Sequence, residues 1–170
     1  MKTYLENIRT GALVPTKTIT HNRPINNTFN VFIKKLSLLI GEPTSREKTK
    51  LRHSEQRGKR RAPIFIKYDT YAVEFTTNEY SVTFCPSNEG CVELYKIEVK
   101  KPKCGIGKNL LNLILDVCDN MNIKCILIPV GEFINRYGKS TPTNVLIQWY
   151  GSFGFKKNVL TQYFIYTPNF

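Results

Sequence analysis

The sequence is poor in the residues from which most metal, redox and charge-relay sites are built. It has two histidines, His21 and His53, and five cysteines, Cys85, Cys91, Cys104, Cys118 and Cys125, with no C-x-x-C pair among them. Structural zinc sites usually take four such ligands at paired spacings, so no metal site is expected. An odd set of unpaired cysteines reads as buried free thiols. No Cys or Ser comes with a matched histidine, which argues against a covalent acyl-enzyme. Long apolar runs are also missing. None approaches the roughly 18 residues that a membrane span needs, and the opening MKTYLENIRTG has no apolar secretory core. A cytoplasmic protein without membrane contact is expected.

Acidic residues are scarce at one end only. Residues 1–63 hold 14 Lys and Arg against 4 Asp and Glu, whereas residues 64–170 hold 11 against 9. The net charge of +12 therefore belongs almost wholly to the first third. Its densest part, REKTKLRHSEQRGKRR, contains Arg46, Lys48, Lys50, Arg52, Arg57, Lys59, Arg60 and Arg61. Such a block attracts nucleic acid, ribosomes or an acidic protein surface, or else serves as a solvated, solubilising loop. The segment 42–62 reads as a polar helix or a flexible arm inside a single domain, 1–170, whose 170 residues suffice for a sizeable core.

Periodicity supplies the remaining elements. ALVPTKTIT reads as a first strand, and TFNVFIKKLSLLIG as a helix capped by Thr28, with Phe32, Leu36, Leu39 and Ile40 on one face and Gly41 as its stop. APIFIKYD reads as a short strand. YAVEFTT, YSVTFCPS and CVELYKIEV follow as an antiparallel meander, the first two joined tightly through NE. Ile106, Leu110, Ile114, Val117 and Met121, widened by Leu111, Leu115 and Cys118, form the apolar stripe of a long helix. Lys108, Asn109, Asn112, Asp116 and Asp119 fall on its other side. KCILIPV is short and apolar enough for a strand beside a parallel neighbour, so strand, helix and strand form a right-handed crossover. STPTNVLIQWYGSFGF predicts a helix with Thr141 as cap, Pro142 at its first position, Gly154 at its end, and Val145, Trp149 and Phe153 on one face with Leu146 and Tyr150 beside them. GFKKNVL and QYFIYTP close the chain as strands. The fold class is α/β, with a mixed, mostly antiparallel sheet around a central strand–helix–strand unit.

The turn between CVELYKIEV and the long helix, KKPKCGIGK, holds Gly105 and Gly107. A glycine turn that opens a helix presents unpaired backbone N–H groups and the positive end of the helix dipole to an anion. Lys100, Lys101, Lys103 and Lys108 surround it, a composition suited to pyrophosphate. The other reading is a turn needed only for tight strand–helix packing. The G-x-x-x-x-G-K-[ST] loop of nucleotide triphosphatases is absent. A dinucleotide fingerprint needs three glycines after a first parallel strand, and here a meander comes first.

In order and spacing, ELYKIEV, KPKCGIGKNLL, CILIPV and NVLIQWYGSFGF resemble the GCN5-related N-acetyltransferase (GNAT) superfamily over about residues 71–170. The resemblance implies an acetyl-coenzyme A site. The family loop reads Gln/Arg-x-x-Gly-x-Gly/Ala. Gly105 and Gly107 match its last two fixed positions, while Pro102 departs from the first and leaves Lys101 or Lys103 to substitute. Lys101, Lys103, Cys104, Gly105, Ile106, Gly107 and Lys108 would then hold the pyrophosphate. Backbone groups of the bulged strand end, Ile97 to Val99, would hold the pantetheine and acetyl carbonyl, in a splay between KIEV and CILIPV. Asn144 resembles an Asn that contacts the coenzyme. Tyr150, four residues before Gly154-Phe155, occupies the place of the Tyr that protonates the leaving thiolate; the alternative is a Tyr that simply packs. For the base, Glu98 is the first candidate, with a solvent-facing or salt-bridged Glu98 as the alternative and Glu93 and Glu132 behind it.

The expected activity is direct transfer of an acetyl group from acetyl-coenzyme A to a primary amine. The basic first third suits a large or polyanion-associated acceptor, such as a ribosomal component, a nucleic-acid-associated protein or an aminoacylated transfer RNA. Two other readings keep the fold: a nucleic-acid base-modifying enzyme, and a non-catalytic module that binds nucleic acid or protein.

Overall fold

The computed structural model describes residues 26–55, 64–87, 90–131 and 134–168, and of 47–55 and 64–70 the backbone alone. The chain groups into two compact units. One comprises Arg23–Lys48 and Thr70–Phe170, the other Met1–Asn22 and Thr49–Asp69. The expected strand ALVPTKTIT lies outside the described residues. Among them, no helix is long and apolar enough to cross a membrane.

Helix α1 spans Asn27–Ile40. Its cap is Asn26, not Thr28. The Asn26 side-chain oxygen accepts the Phe29 N–H at 2.7 Å, and its amide reaches the Ser87 carbonyl at 2.8 Å. Gly41 ends the helix at φ 92°, and its N–H returns to the Ser37 carbonyl. Phe29, Phe32, Ile33 and Leu36 are buried, whereas Leu39, expected on that face, is exposed. Starting the helix two residues earlier makes Phe29 and Ile33 the centre of the stripe, at i and i+4. Asn26→Ala should lower stability by about 1 kcal/mol, the usual worth of a cap. Thermal unfolding should show that loss, and Thr28→Ala should show little.

A seven-stranded sheet runs in the order β1-β2-β3-β4-β5-β7-β6. Strand β1, Ser45–Glu55, replaces the polar helix or flexible arm expected there. Its basic residues fall at alternate positions 46, 48, 50 and 52, a two-residue period that marks a strand. Strand β2, Ile64–Thr76, joins what the sequence divides into two strands. Strands β3, Tyr80–Pro86, and β4, Cys91–Val99, complete the meander. β2 pairs β3 from Val73↔Phe84 to Thr76↔Ser81. β3 pairs β4 with a one-residue shift between Thr83↔Lys96 and Phe84↔Leu94, so Tyr95 is the extra residue of a bulge in β4. The resemblance places the bulge at Ile97–Val99, two residues later. The bulge exchanges faces: Val92 and Leu94 before it, and Ile97 and Val99 after it, share the side of Val82 and Phe84.

Helix α2, Ile106–Met121, follows, and β5, Lys124–Leu127, then lies parallel to β4. The parallel pairing across the helix is as expected. Leu110, Leu111, Ile114, Leu115, Val117 and Cys118 are buried, while Lys108, Asn109, Asn112, Asp116 and Asp119 are exposed. α1 packs on α2, and both reach β4. Phe32 meets Phe84 edge-on at a centroid distance of 5.2 Å.

Helix α3, Thr143–Gly151, precedes the short strands β6, Lys156–Lys157, and β7, Phe164–Tyr166. Thr141 does not cap it: the cap position is Pro142, which makes no side-chain bond. Instead the Thr143 hydroxyl accepts the Gly131 N–H at 2.9 Å. A Cβ on Gly131 would run into the Thr141 carbonyl and the Thr143 amide, so only glycine lets these backbones meet. β7 lies antiparallel to both β5 and β6. The Tyr166 hydroxyl donates to Asp119 at 2.8 Å and ties the end of α2 to β7.

Candidate functional site: the opening of α2 and the end of β4

Beyond β4, the Lys100 N–H bonds the Glu79 carbonyl at 2.8 Å. Lys103 and Gly105 then take left-handed φ values of 66° and 81°. That conformation is strained for lysine and free for glycine, and it turns the chain into α2. The first helical bond is Asn109 N–H to the Gly105 carbonyl, 2.9 Å. The N–H groups of Ile106, Gly107 and Lys108 therefore have no intrahelical partner, and among the described residues no other bond reaches them. Lys100, Lys101, Lys103 and Lys108 are exposed around these amides, as are Pro102 and Cys104. Exposure of Cys104 departs from the expectation of buried thiols; Cys85, Cys118 and Cys125 follow it, and Cys91 is half-buried.

The strands beside this turn part company. β5 pairs β4 only from Cys91↔Lys124 to Glu93↔Ile126 and ends at Leu127, while β4 continues to Val99. Because Lys100 donates towards β3, strand alternation turns the backbone groups of Ile97 and Val99 the other way, to the side that β5 has left. Gly107 closes the arrangement from the helix. A Cβ there would lie 3.5 Å from Val99 Cγ1 and 3.6 Å from Trp149 Cζ2. The first turn of α2, the end of β4 and α3 therefore meet at one point.

α3 is rotated from its expected setting. Val145 is exposed and Trp149 only half-buried, while Tyr150, expected beside that face, is 6% exposed. The stripe is Leu146, Tyr150 and Phe153, at i, i+4 and i+7. The Tyr150 ring packs on Trp149 at 4.9 Å and on Phe155 at 5.6 Å. The second contact explains the Gly154-Phe155 pair. Gly154, at φ 90°, turns the chain so that Phe155 folds back under Tyr150, and the Phe155 N–H reaches the Tyr150 carbonyl at 3.3 Å. Among the described residues the Tyr150 hydroxyl has no hydrogen-bond partner. Burial pushes its pKa well up, and the Cys125 sulfur adds to the rise. A buried phenol without a partner is a donor waiting for an acceptor.

No protein-family profile matches the chain, and no curated protein does. Among solved structures, the anti-CRISPR protein AcrVA5 aligns at a TM-score of 0.48 and 16% identity, over 56% of this chain and 98% of that one.

Glu98 is salt-bridged and does not face solvent, as the other expectation had it. It is buried, and its carboxylate accepts the backbone N–H of Arg136 at 3.2 Å, Arg136 Nε at 3.1 Å and Lys96 Nζ at 3.0 Å. The same guanidinium binds Glu74 and, at 3.3 Å, the Thr76 hydroxyl. Ser81 donates to Glu74 at 2.6 Å. Sequence reading missed Arg136, which lies 38 residues from Glu98 in a turn without a motif. Glu93 is buried opposite Cys85, and Glu132 lies outside the described residues. Asn144 is exposed in the first turn of α3. Arg46 is exposed, 4.0 Å from Glu42. The side chains of Lys48, Lys50 and Arg52, and all of Arg57, Lys59, Arg60 and Arg61, lie outside the described residues.

Proposed function

We propose that this chain has a GNAT fold and is an N-acetyltransferase that moves the acetyl group of acetyl-coenzyme A to a primary amine. The observation that carries the reading is the parallel β4–α2–β5 unit, whose strands pair at their start and separate before β4 ends, beside a glycine-opened helix. The unpaired amides of Ile106, Gly107 and Lys108, with the helix dipole and four lysines, suit a pyrophosphate. The open backbone edge of Ile97 and Val99 suits the amide-bearing pantetheine. Pro102 removes one donor of the family loop, and the exposed Lys101 and Lys103 supply charge in its place.

The thioester supplies an activated carbonyl. The chain's part is to hold it, to exclude water and to stabilise charge as it develops. The proposal gives the last task to Tyr150. Its raised pKa makes it a hydrogen-bond donor to the forming thiolate more than a complete proton donor, because a thiol titrates near 8.5, below the phenol. Glu98 has its oxygens committed to Arg136 and Lys96, so the acceptor amine loses its proton to solvent or to another group. The basic segment 46–61 is proposed to dock a polyanion-associated acceptor, in which case binding to RNA or DNA weakens steeply with salt.

Calorimetry tests the coenzyme site. Acetyl-coenzyme A should bind wild type, and Gly107→Leu should abolish binding while the fold persists, because its side chain wedges between Val99 and Trp149. Equal affinity in the two proteins, or no binding to wild type, would overturn the assignment.

A further inference from the structure

Trp149 is the only tryptophan in the chain. Its indole edge lies 3.6–3.8 Å from where a Gly107 Cβ would stand, with Val99 Cγ1 at 3.5 Å from the same point. It is half-buried, stacked at a tilt on Tyr150 at 4.9 Å, and set edge-on to Phe153 at 5.2 Å. The ring thus occupies the corner between the free amides at the start of α2 and the unpaired edge of Ile97 and Val99. A ligand that touches both runs close beside it. Tyr150 adds a second observation from the same helix: its buried hydroxyl has no partner among the described residues, although a donor placed there is stabilised only by an acceptor.

We infer that Trp149 is a gate across the site, closed without ligand, which swings out to admit the pantetheine arm of an acyl-coenzyme A and so lets an acceptor atom reach Tyr150. This rests on the coenzyme reading above. The residue is suited to the task. A half-exposed aromatic held by ring contacts, whose indole N–H makes no hydrogen bond among the described residues, moves at the cost of contact area alone. Opening and binding are coupled, so affinity is reduced by the closed fraction, and removing the ring removes that reduction.

The experiment follows the single indole by fluorescence while calorimetry follows binding. Three ligands are compared: acetyl-coenzyme A, coenzyme A, and adenosine 3′-phosphate 5′-diphosphate, which carries the pyrophosphate but no arm. The gate predicts a red shift of emission with the first two, and binding without that shift for the third. Acetyl-coenzyme A that binds with unchanged emission overturns the gate and leaves the coenzyme reading standing. So does an armless nucleotide that shifts emission equally. Absence of binding to all three overturns both. A second arm uses Trp149→Ala and a coenzyme A labelled on sulfur with a fluorophore, in stopped flow. Association should quicken by about tenfold, the factor set by a gate closed about nine-tenths of the time; an unchanged rate rejects it. Wild-type fluorescence decides the matter independently if Trp149→Ala fails to fold.

Discussion

Under the acetyltransferase proposal, Tyr150→Phe should melt higher than wild type and turn over roughly 100- to 1,000-fold more slowly, the usual loss of one preorganised donor. The two effects have one cause. The hydroxyl is buried and meets no partner among the described residues, so the ligand-free protein carries its desolvation uncompensated. Removing it should return about 1 kcal/mol of stability. In the reaction the same hydroxyl meets a sulfur that is gaining charge, where the bond is strongest. The loss should therefore fall on kcat and spare KM. The ring contacts with Trp149 and Phe155 survive the change, so coenzyme affinity should hold. Slow hydrolysis of acetyl-coenzyme A offers a first assay before an acceptor is found. A variant with full turnover would remove Tyr150 from the chemistry. A variant that melts lower would mean that the hydroxyl has a partner in the folded protein.

Arg136→Met is expected to be the most destabilising single change at the ion-pair cluster, at about 3 kcal/mol, the lower end of the cost of stranding a buried charge. Glu98 is 6% exposed and would lose the guanidinium, keeping Lys96 and one backbone N–H. Glu74 would lose the same partner and keep Ser81. For a chain of this length the melting temperature should fall by about 6–12 °C. The deficit should depend on pH. Burial raises the Glu74 pKa, but the Ser81 hydroxyl, the Arg136 charge and the Thr76 and Arg136 bonds together bring it below its ordinary value of 4.5. The stability linked to that lowering is complete above 4.5 and is lost as pH falls through the lower folded value. Wild type and variant should therefore converge in acid. A constant gap from neutral pH to below 4 would show that Arg136 acts through packing and not through charge. Glu98→Gln with Arg136→Met should restore part of the loss, since a neutral amide costs less to leave half-paired.

Much of this chain was legible from local pattern, because helices and hairpins are written at short range. The stripe of α2, the tight link between β2 and β3, and the parallel setting of β5 after a crossover follow from periodicity, turn residues and the handedness of connections. The glycine-opened start of α2 was equally readable, because the left-handed φ of Gly105 is a requirement of one residue. Local reading failed where two signals lay within two residues of each other. Asn26 and Thr28 are both good caps, and the packing of Phe29 and Ile33 decides for Asn26. The basic run looked like a solvated arm because charge hid its two-residue alternation, and as β1 it takes a place at the end of the sheet order.

What the sequence determined by itself is the order of elements and the chemical inventory of the site: amides, lysines and a tyrosine, each set by residues within a turn of one another. Tertiary structure alone decided which of these face each other. The setting of α3 buries Tyr150 against Phe155 and leaves Val145 in solvent. Strand separation beyond Glu93 comes from a β5 that ends at Leu127. The pairing of Arg136 with Glu98 spans 38 residues and leaves no local trace. The reason is the same in each case. Local conformation depends on a residue and its near neighbours, whereas burial and ion pairing depend on what the folded chain brings opposite, and that is a property of the whole sheet.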